Sequence, residues 1–402
     1  MHERFTSAPG TPKPAKKSKP KSKAASMTNK ASSNAKQSSQ EWRKSTTRSY
    51  EYRMIGSSQS CIERYCELAK IDSKSLKKVA TPCIDDHTLP PEDFQKKGAL
   101  SPVASKIVLK ALYLARLARP DLLWTVNSLA RNVTKWTVAD DKRVHRLMSY
   151  IQHTGNHVMK SFVGDEAKEC QIMLFCDASF AGDLMDSKST SGAIMCLVGP
   201  NTFAPISWIC KKQGAVSHSS TEAEVISMDA GMRLEAVPAL TLWEIVLEVM
   251  NPETAKADRN VEPTRKANGK RSKFGGNAKQ TDIKHAETEF ELPADFKTLL
   301  ECDYVPPSLP PLKGIGKLII CEDNDAVIKM CIKGRSPNMR HVPRTHRVDL
   351  DWLFERILKD PSISIKYVNT KQQLADILTR IFHGANTERA LQTHSNCRNL
   401  CS

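Results

Sequence analysis

The chain has 402 residues, with 60 Lys plus Arg against 44 Asp plus Glu and a formal net charge of +16. That length allows two domains, and the basic excess favours a polyanionic partner, of which nucleic acid is the commonest. No apolar run approaches the roughly 20 residues that span a membrane, and the polar N-terminus carries no signal peptide, so an intracellular chain, cytoplasmic or nuclear, with no membrane partner is expected.

Residues 1–45 are rich in Lys, Ser, Ala and Pro. They hold too little apolar surface to offset chain entropy and read as a disordered basic tail. Its run Lys16-Lys17-Ser18-Lys19-Pro20-Lys21-Ser22-Lys23 suits a nuclear-import signal, a non-specific phosphate contact or a plain solvated tail. Residues 46–165 read as mostly helical. Ile107, Leu109, Leu112, Leu114 and Leu117 recur at helical spacing, and Pro120 breaks the pattern. Further helices are expected from Leu122 to Val133 and from Ala139 to His153. Arg116, Arg119, Arg131, Lys142, Arg143 and Arg146 line these helices, either as backbone contacts for a nucleic acid or as a solvated face.

The texture changes near residue 170. Runs at 171–182, 190–199 and 205–212 read as an antiparallel meander. A long helix should follow from about Ser220 to Met250, capped by Ser219 or Ser220 and kinked at Pro238. Residues 251–313 are basic, then acidic, then Pro-rich, and read as an insertion. Strand Lys317–Cys321 resumes the sheet. Helices at about 325–333 and 346–359, strand Ile363–Val368 and a last helix from about 373 complete it. The expected fold is α/β: a mixed sheet flanked by helices over 170–382, with a flexible tail at 383–402. The 12 cysteines include no CxxC and read as reduced thiols. His394, Cys397 and Cys401 match no strong zinc spacing and lack a fourth ligand.

Carboxylates carry the chemistry. Asp177 ends the apolar run Ile172–Cys176, and Asp323 ends Leu318–Cys321. A charge beside a buried strand needs a partner, although a turn residue explains either one alone. Glu222 and Glu224 open the long helix about 200° apart around it, so one of them faces the sheet. Asp376 lies in the last helical segment. Their order on these elements suits phosphodiester hydrolysis with two divalent ions held by carboxylates.

The motifs around these residues resemble the ribonuclease H domain of copia-type LTR retrotransposon Pol polyproteins. That family reads approximately D-A-D/S-x-A-G-D, x-K-S-T-S-G, I-S-W-x-S-K-K-Q, S-S-T-E-A-E, D-N-x-x-A and A-D-I-L-T. The chain offers Asp177–Asp183, Ser187–Gly192, Ile206–Gln213, Ser219–Glu224, Asp323-Asn324 and Ala375–Thr379. Upstream, Tyr113–Asp121 with Val126–Leu129 is similar to the segment joining reverse transcriptase to ribonuclease H. The resemblance covers about residues 80–382. It implies a five-stranded ribonuclease H sheet and cleavage of the RNA strand of RNA–DNA hybrids. It also selects Glu224 over Glu222, giving the catalytic and metal-holding set Asp177, Glu224, Asp323 and Asp376.

The implied cofactor is a pair of Mg²⁺ ions, with Mn²⁺ as a substitute. Asp177 and Asp376 would hold the ion that activates water; Asp177, Glu224 and Asp323 would hold the other. Lys211, Lys212 and Arg380 are the nucleic-acid-binding candidates. Further partners would be the reverse transcriptase or integrase portions of the same element. Two departures stand out. The polymerase's paired aspartates are absent, since Asp85-Asp86 follows Cys83-Ile84 in a Pro-flanked loop. The family's T-K-H-I is Thr345-His346-Arg347-Val348 here. The competing reading is a catalytically decayed or domesticated fragment that only binds nucleic acid. An integrase would place its Glu last and carry a His/Cys zinc motif, and neither holds here.

Overall fold

The fold is organised by one mixed sheet. In the computed structural model, residues 47–182, 186–250 and 314–379 are described; the basic tail, the 251–313 insertion, the C-terminal tail and Arg380 lie outside them. The described residues fall within one compact unit, Ser45–Ser402. Strand β1 is Arg48–Tyr52 and is followed by helix α1, Ile55–Ala69. Helices α2 (Ala104–Leu117), α3 (Leu123–Arg131) and α4 (Val138–Thr154) come next. Strands β2 (Met159–Val163), β3 (Gln171–Ser179), β4 (Thr190–Gly199) and β5 (Thr202–Lys212) follow. Then come α5 (Ser220–Gly231), a π turn at Met232–Ala236 and α6 (Val237–Met250). The last part holds β6 (Leu318–Glu322), α7 (Asp325–Lys333), α8 (Val342–Thr345), α9 (Leu350–Lys359) and β7 (Ile363–Tyr367).

The sheet has seven strands in the order β1-β2-β5-β4-β3-β6-β7, not the five expected. Pairing is antiparallel from β1 through β3 and parallel from β3 to β6 and β7. The two extra strands come from the segment read as helical. β1 is exposed along its whole length, so it lacks the buried alternation that marks a strand in sequence. It forms by pairing with β2, which joins the edge of β5 through Phe162 and Phe203.

Strand alternation divides the core into two layers. Met173 and Phe175 of β3 pack with α1–α4 on one face. Ile172, Leu174 and Cys176 pack with α5–α9 on the other. A strand buried on both faces reads as a continuous apolar run, as Ile172–Cys176 does. In α2 the buried stripe is Ile107, Val108, Ala111, Leu114 and Ala115, whereas Leu109 and Leu117 face solvent. Small alanines on the inner face let neighbouring elements approach. The Trp208 indole N–H reaches the Ala115 carbonyl at 3.0 Å, and the Asn127 amide donates to the Cys210 carbonyl at 2.8 Å. These bonds fix α2 and α3 against β5.

Local chemistry explains the helix ends. Thr137 and Asp140 form a capping box at α4, and Ser219 accepts from the Glu222 N–H at 3.1 Å to start α5. Gly334 ends α7 at φ +64°, a conformation that favours glycine. The expected kink at Pro238 is met one turn earlier. Pro238 cannot donate to the carbonyl four residues back, and the π turn immediately before α6 absorbs the lost bond. Among the described residues, the start of the expected last helix is a 3-10 turn, Leu374–Leu378. That turn packs across β4, where Gly192 leaves room for it.

A Cβ on Gly192 would stand 2.6 Å from Thr379 Cγ2 and 2.9 Å from Leu378 Cβ. Gly192→Ala should therefore cost about 1–3 kcal/mol by overpacking. The check is a lower urea midpoint at unchanged slope. Gly214→Ala, whose added methyl meets nothing within 4 Å, should leave the midpoint unchanged.

Candidate functional site

The ends of the central strands gather buried acids. Asp177 lies near the end of β3, opposite Gly192 of β4, and is fully buried. Its backbone carbonyl accepts the Ser227 hydroxyl from α5 at 2.7 Å. The preceding carbonyl, of Cys176, accepts the Gln373 amide at 2.8 Å. Side chains from both layers thus pin the strand end.

Glu224 reaches this point from α5. It is buried, its carboxylate accepts the Ala178 backbone N–H of β3, and its Oε2 has no hydrogen-bond partner. Glu222, one position before Ala223, turns away, as the 200° rotation requires. At the end of β6 the structure places two acids, Glu322 and the expected Asp323, at different depths. Glu322, the last residue of β6, is fully buried, while Asp323 is only half-buried. Glu322 Oε1 accepts the Asn324 N–H at 3.1 Å, and its Oε2 lacks a hydrogen bond.

The register contained the signal. In the D-N-x-x-A pattern the alanine follows the acid by four residues. Ala326 stands four after Glu322 and three after Asp323. The two registers divide the motif: Asp323 keeps the D-N pair, and Glu322 keeps the spacing to the alanine. A one-residue shift turns a side chain to the opposite side of a strand.

Asp376 lies half-buried on the 3-10 turn after β7. Thr379, at the end of that turn, places its hydroxyl against both the Asp177 carboxylate and, at 3.4 Å, the Asp376 carbonyl. The turn is therefore tied directly to Asp177.

Burial and mutual repulsion act together on these groups. Burial first, then the charges of Asp177, Glu322 and Asp323, push the Glu224 carboxyl up to about 10. Burial, with Asp323 and Asp177 behind it, pushes Glu322 up to about 8. Cys176, buried between them, is also raised. Such a set is unfavourable as bare anions and suits either bound protons or a cation. The donors are hard carboxylate oxygens, two of them buried without a hydrogen bond, which fits Mg²⁺ or Mn²⁺. These carboxylates do not form the tight three-ligand cluster found elsewhere among the described residues.

The basic candidates separate into two groups. Arg119 is buried in a two-pronged pair with Asp121, at 2.9 and 2.7 Å, and donates to the Thr154 carbonyl. Arg143 pairs with Asp86 and Asp140, Lys142 with Asp93, and Arg146 donates to Thr81. These four hold the helical layer together and are not a free nucleic-acid face. Asp86 is thus a structural partner in its loop. Lys211 is exposed at the end of β5, and Lys212 beside it pairs with Asp186 at 2.7 Å. Arg116, Arg131, Lys211 and Lys212 line a groove of about 550 Å³ that contains no acid. Arg131 and Lys212 also line a second groove, of about 820 Å³, which extends to Thr379 beside Asp177.

The nine cysteines among the described residues are in no disulfide. No helix among these residues is long and apolar enough to cross a membrane. The His394, Cys397 and Cys401 grouping lies outside the described residues.

The raised carboxyls have a thermodynamic consequence. A carboxyl whose folded value lies above its ordinary 4.5 binds more protons folded than unfolded. Its contribution to stability is complete below about 4.5 and is lost as pH rises toward the folded values near 8 and 10. Without divalent cations, the chain should lose stability between pH 5 and pH 9. Glu224→Gln should flatten that loss and stabilise the cation-free chain at pH 8 by on the order of 1–3 kcal/mol, as read by denaturant melts at each pH.

No family model and no solved structure matches the chain. Among curated proteins, the retrovirus-related Pol polyprotein from transposon RE2 of Arabidopsis thaliana is 29% identical over 192 residues, 48% of this chain and 12% of that polyprotein. The corresponding polyprotein from transposon RE1 of the same plant is 30% identical over 161 residues, 40% of this chain and 10% of its own length. Secreted RxLR effector protein 161 of Plasmopara viticola is 31% identical over 117 residues, 29% of this chain and 78% of that protein. The match thus spans about a tenth of the two Pol polyproteins.

Proposed function

We propose that this chain, which belongs to the copia-type retrotransposon Pol polyproteins, is a ribonuclease H that cleaves the RNA strand of RNA–DNA hybrids. The observation that carries the reading is the convergence of Asp177, Glu224 and Glu322 at the ends of β3, α5 and β6, with Asp376 tied in through Thr379. The strand order β5-β4-β3-β6-β7, three antiparallel strands followed by two parallel ones, supports it.

In this reading Asp177, Glu224, Glu322 and Asp376 hold two Mg²⁺ ions. When bound, the ions supply a nucleophilic water at neutral pH and offset charge on the phosphate and the leaving oxygen. Asp177 stands between the α5 and 3-10 contributions and would help to hold the ions from the centre of the set. Thr379 positions the Asp177 carboxylate. Asp323, half-exposed beside the site, adds negative charge but is not a principal ligand. The groove bearing Arg116, Arg131, Lys211 and Lys212 takes the sugar–phosphate backbone, and such contacts position a substrate without reading its sequence.

A decayed, binding-only module is the second reading. One observation favours it: a Glu at 322 stands where the family pattern has Asp, and a longer arm changes where the carboxylate sits.

One assay separates these readings. A labelled RNA–DNA hybrid is incubated with Mg²⁺ and the full chain. The parent should cleave it. Asp177→Asn and Glu322→Gln should each lose on the order of 100-fold or more, while Asp323→Asn should lose less than about tenfold. Cleavage more sensitive to Asp323 than to Glu322 would restore the motif's original register. A folded parent that binds the hybrid without cutting it would favour the binding-only reading. Lys211→Ala with Arg116→Ala should weaken hybrid binding and reduce its salt dependence by about one contact per residue removed.

A further inference from the structure

Glu222 points away from the carboxylates of the strand ends and into a ring of imidazoles. Its side chain is 2% exposed. His341 Nε2 lies 3.2 Å from Glu222 Oε2, and His218 Nδ1 lies 3.8 Å from the same oxygen. One ligand atom from each of His218, Glu222 and His341 lies within 4.8 Å of the other two. His346 Nε2 sits 3.1 Å from the other oxygen, Oε1. The His346 side chain is 1% exposed, yet neither of its ring nitrogens makes a hydrogen bond. The rings of His218 and His341 meet edge-on, with centroids 4.8 Å apart.

Helix capping does not account for this cluster. Glu222 accepts the His218 backbone N–H at 3.2 Å, and one carboxylate oxygen suffices for that. Capping does not call for three imidazoles around one carboxylate: His341 Nε2 is at hydrogen-bond distance of Oε2, and the buried His346 ring has only its charge pairing with Oε1. Metal chemistry accounts for the arrangement better. Four ligands around zinc at about 2.0–2.1 Å in a tetrahedron put neighbouring donor atoms roughly 3.3 Å apart. The observed separations of 3.2 and 3.8 Å bracket that spacing.

We propose that His218, Glu222 and His341 form a binding site for a divalent transition ion of the zinc class, separate from the strand-end carboxylates. Glu222 ligates through Oε2. His346 faces Oε1 and holds the carboxylate in orientation, the outer-shell role often taken by a buried partner of a ligand. Mixed nitrogen and oxygen donors select zinc-like ions over Mg²⁺, which prefers oxygen alone. The His218 side chain is 72% exposed and that of His341 36%. The site therefore opens to solvent, which leaves a fourth position for water. The ion would tie the first turn of α5 to the segment around α8. Glu224 is two residues further along that helix, so the tie also steadies an arm of the proposed catalytic site. The zinc site itself does not depend on the ribonuclease reading.

The test uses the full chain and Zn²⁺ alone, with affinity read by competition against a chromophoric chelator and stability read by thermal melting. The parent should bind a single tight Zn²⁺ and melt at a higher temperature with it. Asp177→Asn combined with Glu224→Gln should keep both effects. His341→Ala should weaken binding by about tenfold or more and abolish the thermal shift. His218→Asn, at an exposed ring, should do the same without disturbing the fold. No tight Zn²⁺ on the parent would overturn the proposal. So would tight binding that survives both histidine variants, or binding that is lost with the Asp177 and Glu224 substitutions.

Discussion

The constraint on which the rest depends is the burial of acids at the ends of adjacent strands. β3 and β6 run parallel, with Phe175 beside Cys321, so both strands finish at the same edge of the sheet. Asp177 and Glu322 arrive there fully buried. The apolar runs behind them cannot shift register without losing the core on both faces. That locks the acids together in a place where water cannot screen them well. Glu224 enters the same place because Ser219 starts α5 at the right residue and Gly231 lets the helix lie close to β3 and β4. A Cβ at Gly231 would stand 3.1 Å from Ala193 and 3.2 Å from the Cys176 sulfur. The stability of the sheet therefore opposes the electrostatics of its edge, a conflict that bound protons relieve and that, in the proposed reading, a cation would relieve.

The helical layer has a second function in this arrangement. It covers one face of the sheet through Trp208 and Asn127 contacts, and four of its basic residues are used internally. Arg119, Lys142, Arg143 and Arg146 all bind acids, carbonyls or hydroxyls within the layer. The groove beside β5, where α2 and α3 meet the strand that carries Lys211 and Lys212, has no acid in its lining, and Lys212 also pairs with Asp186. The net charge of the chain alone did not distinguish these two uses; only the partners do.

Much of this was legible in sequence, for physical reasons that vary by element. β3, β4 and β5 were visible because β-prone runs bounded by turn residues can hardly form anything else. The α5 start was visible because Ser219 precedes a helix-forming run, and its register placed Glu224 and Glu222 on opposite sides. β1 was not visible, because an exposed edge strand has no apolar period. The Leu109 and Leu117 positions misled, since helix α2 buries Ile107, Val108 and Leu114 together with small alanines and presents Leu109 and Leu117 to solvent. The deeper burial of Glu322 relative to Asp323 was not legible, because two consecutive acids satisfy the same short motif and only strand register separates them. The histidines around Glu222 were invisible because 119 residues separate it from His341.

The central claim of the proposed reading is that Glu224 and Glu322 carry protons until a divalent cation replaces them. The direct test is calorimetric titration of the full chain with Mg²⁺ near pH 7 in two buffers of different ionisation enthalpy. The buffer dependence reports proton release. The account predicts net release on binding, reduced in Glu224→Gln and again in Glu322→Gln. Binding without proton release, or no Mg²⁺ binding by the folded chain, would contradict it.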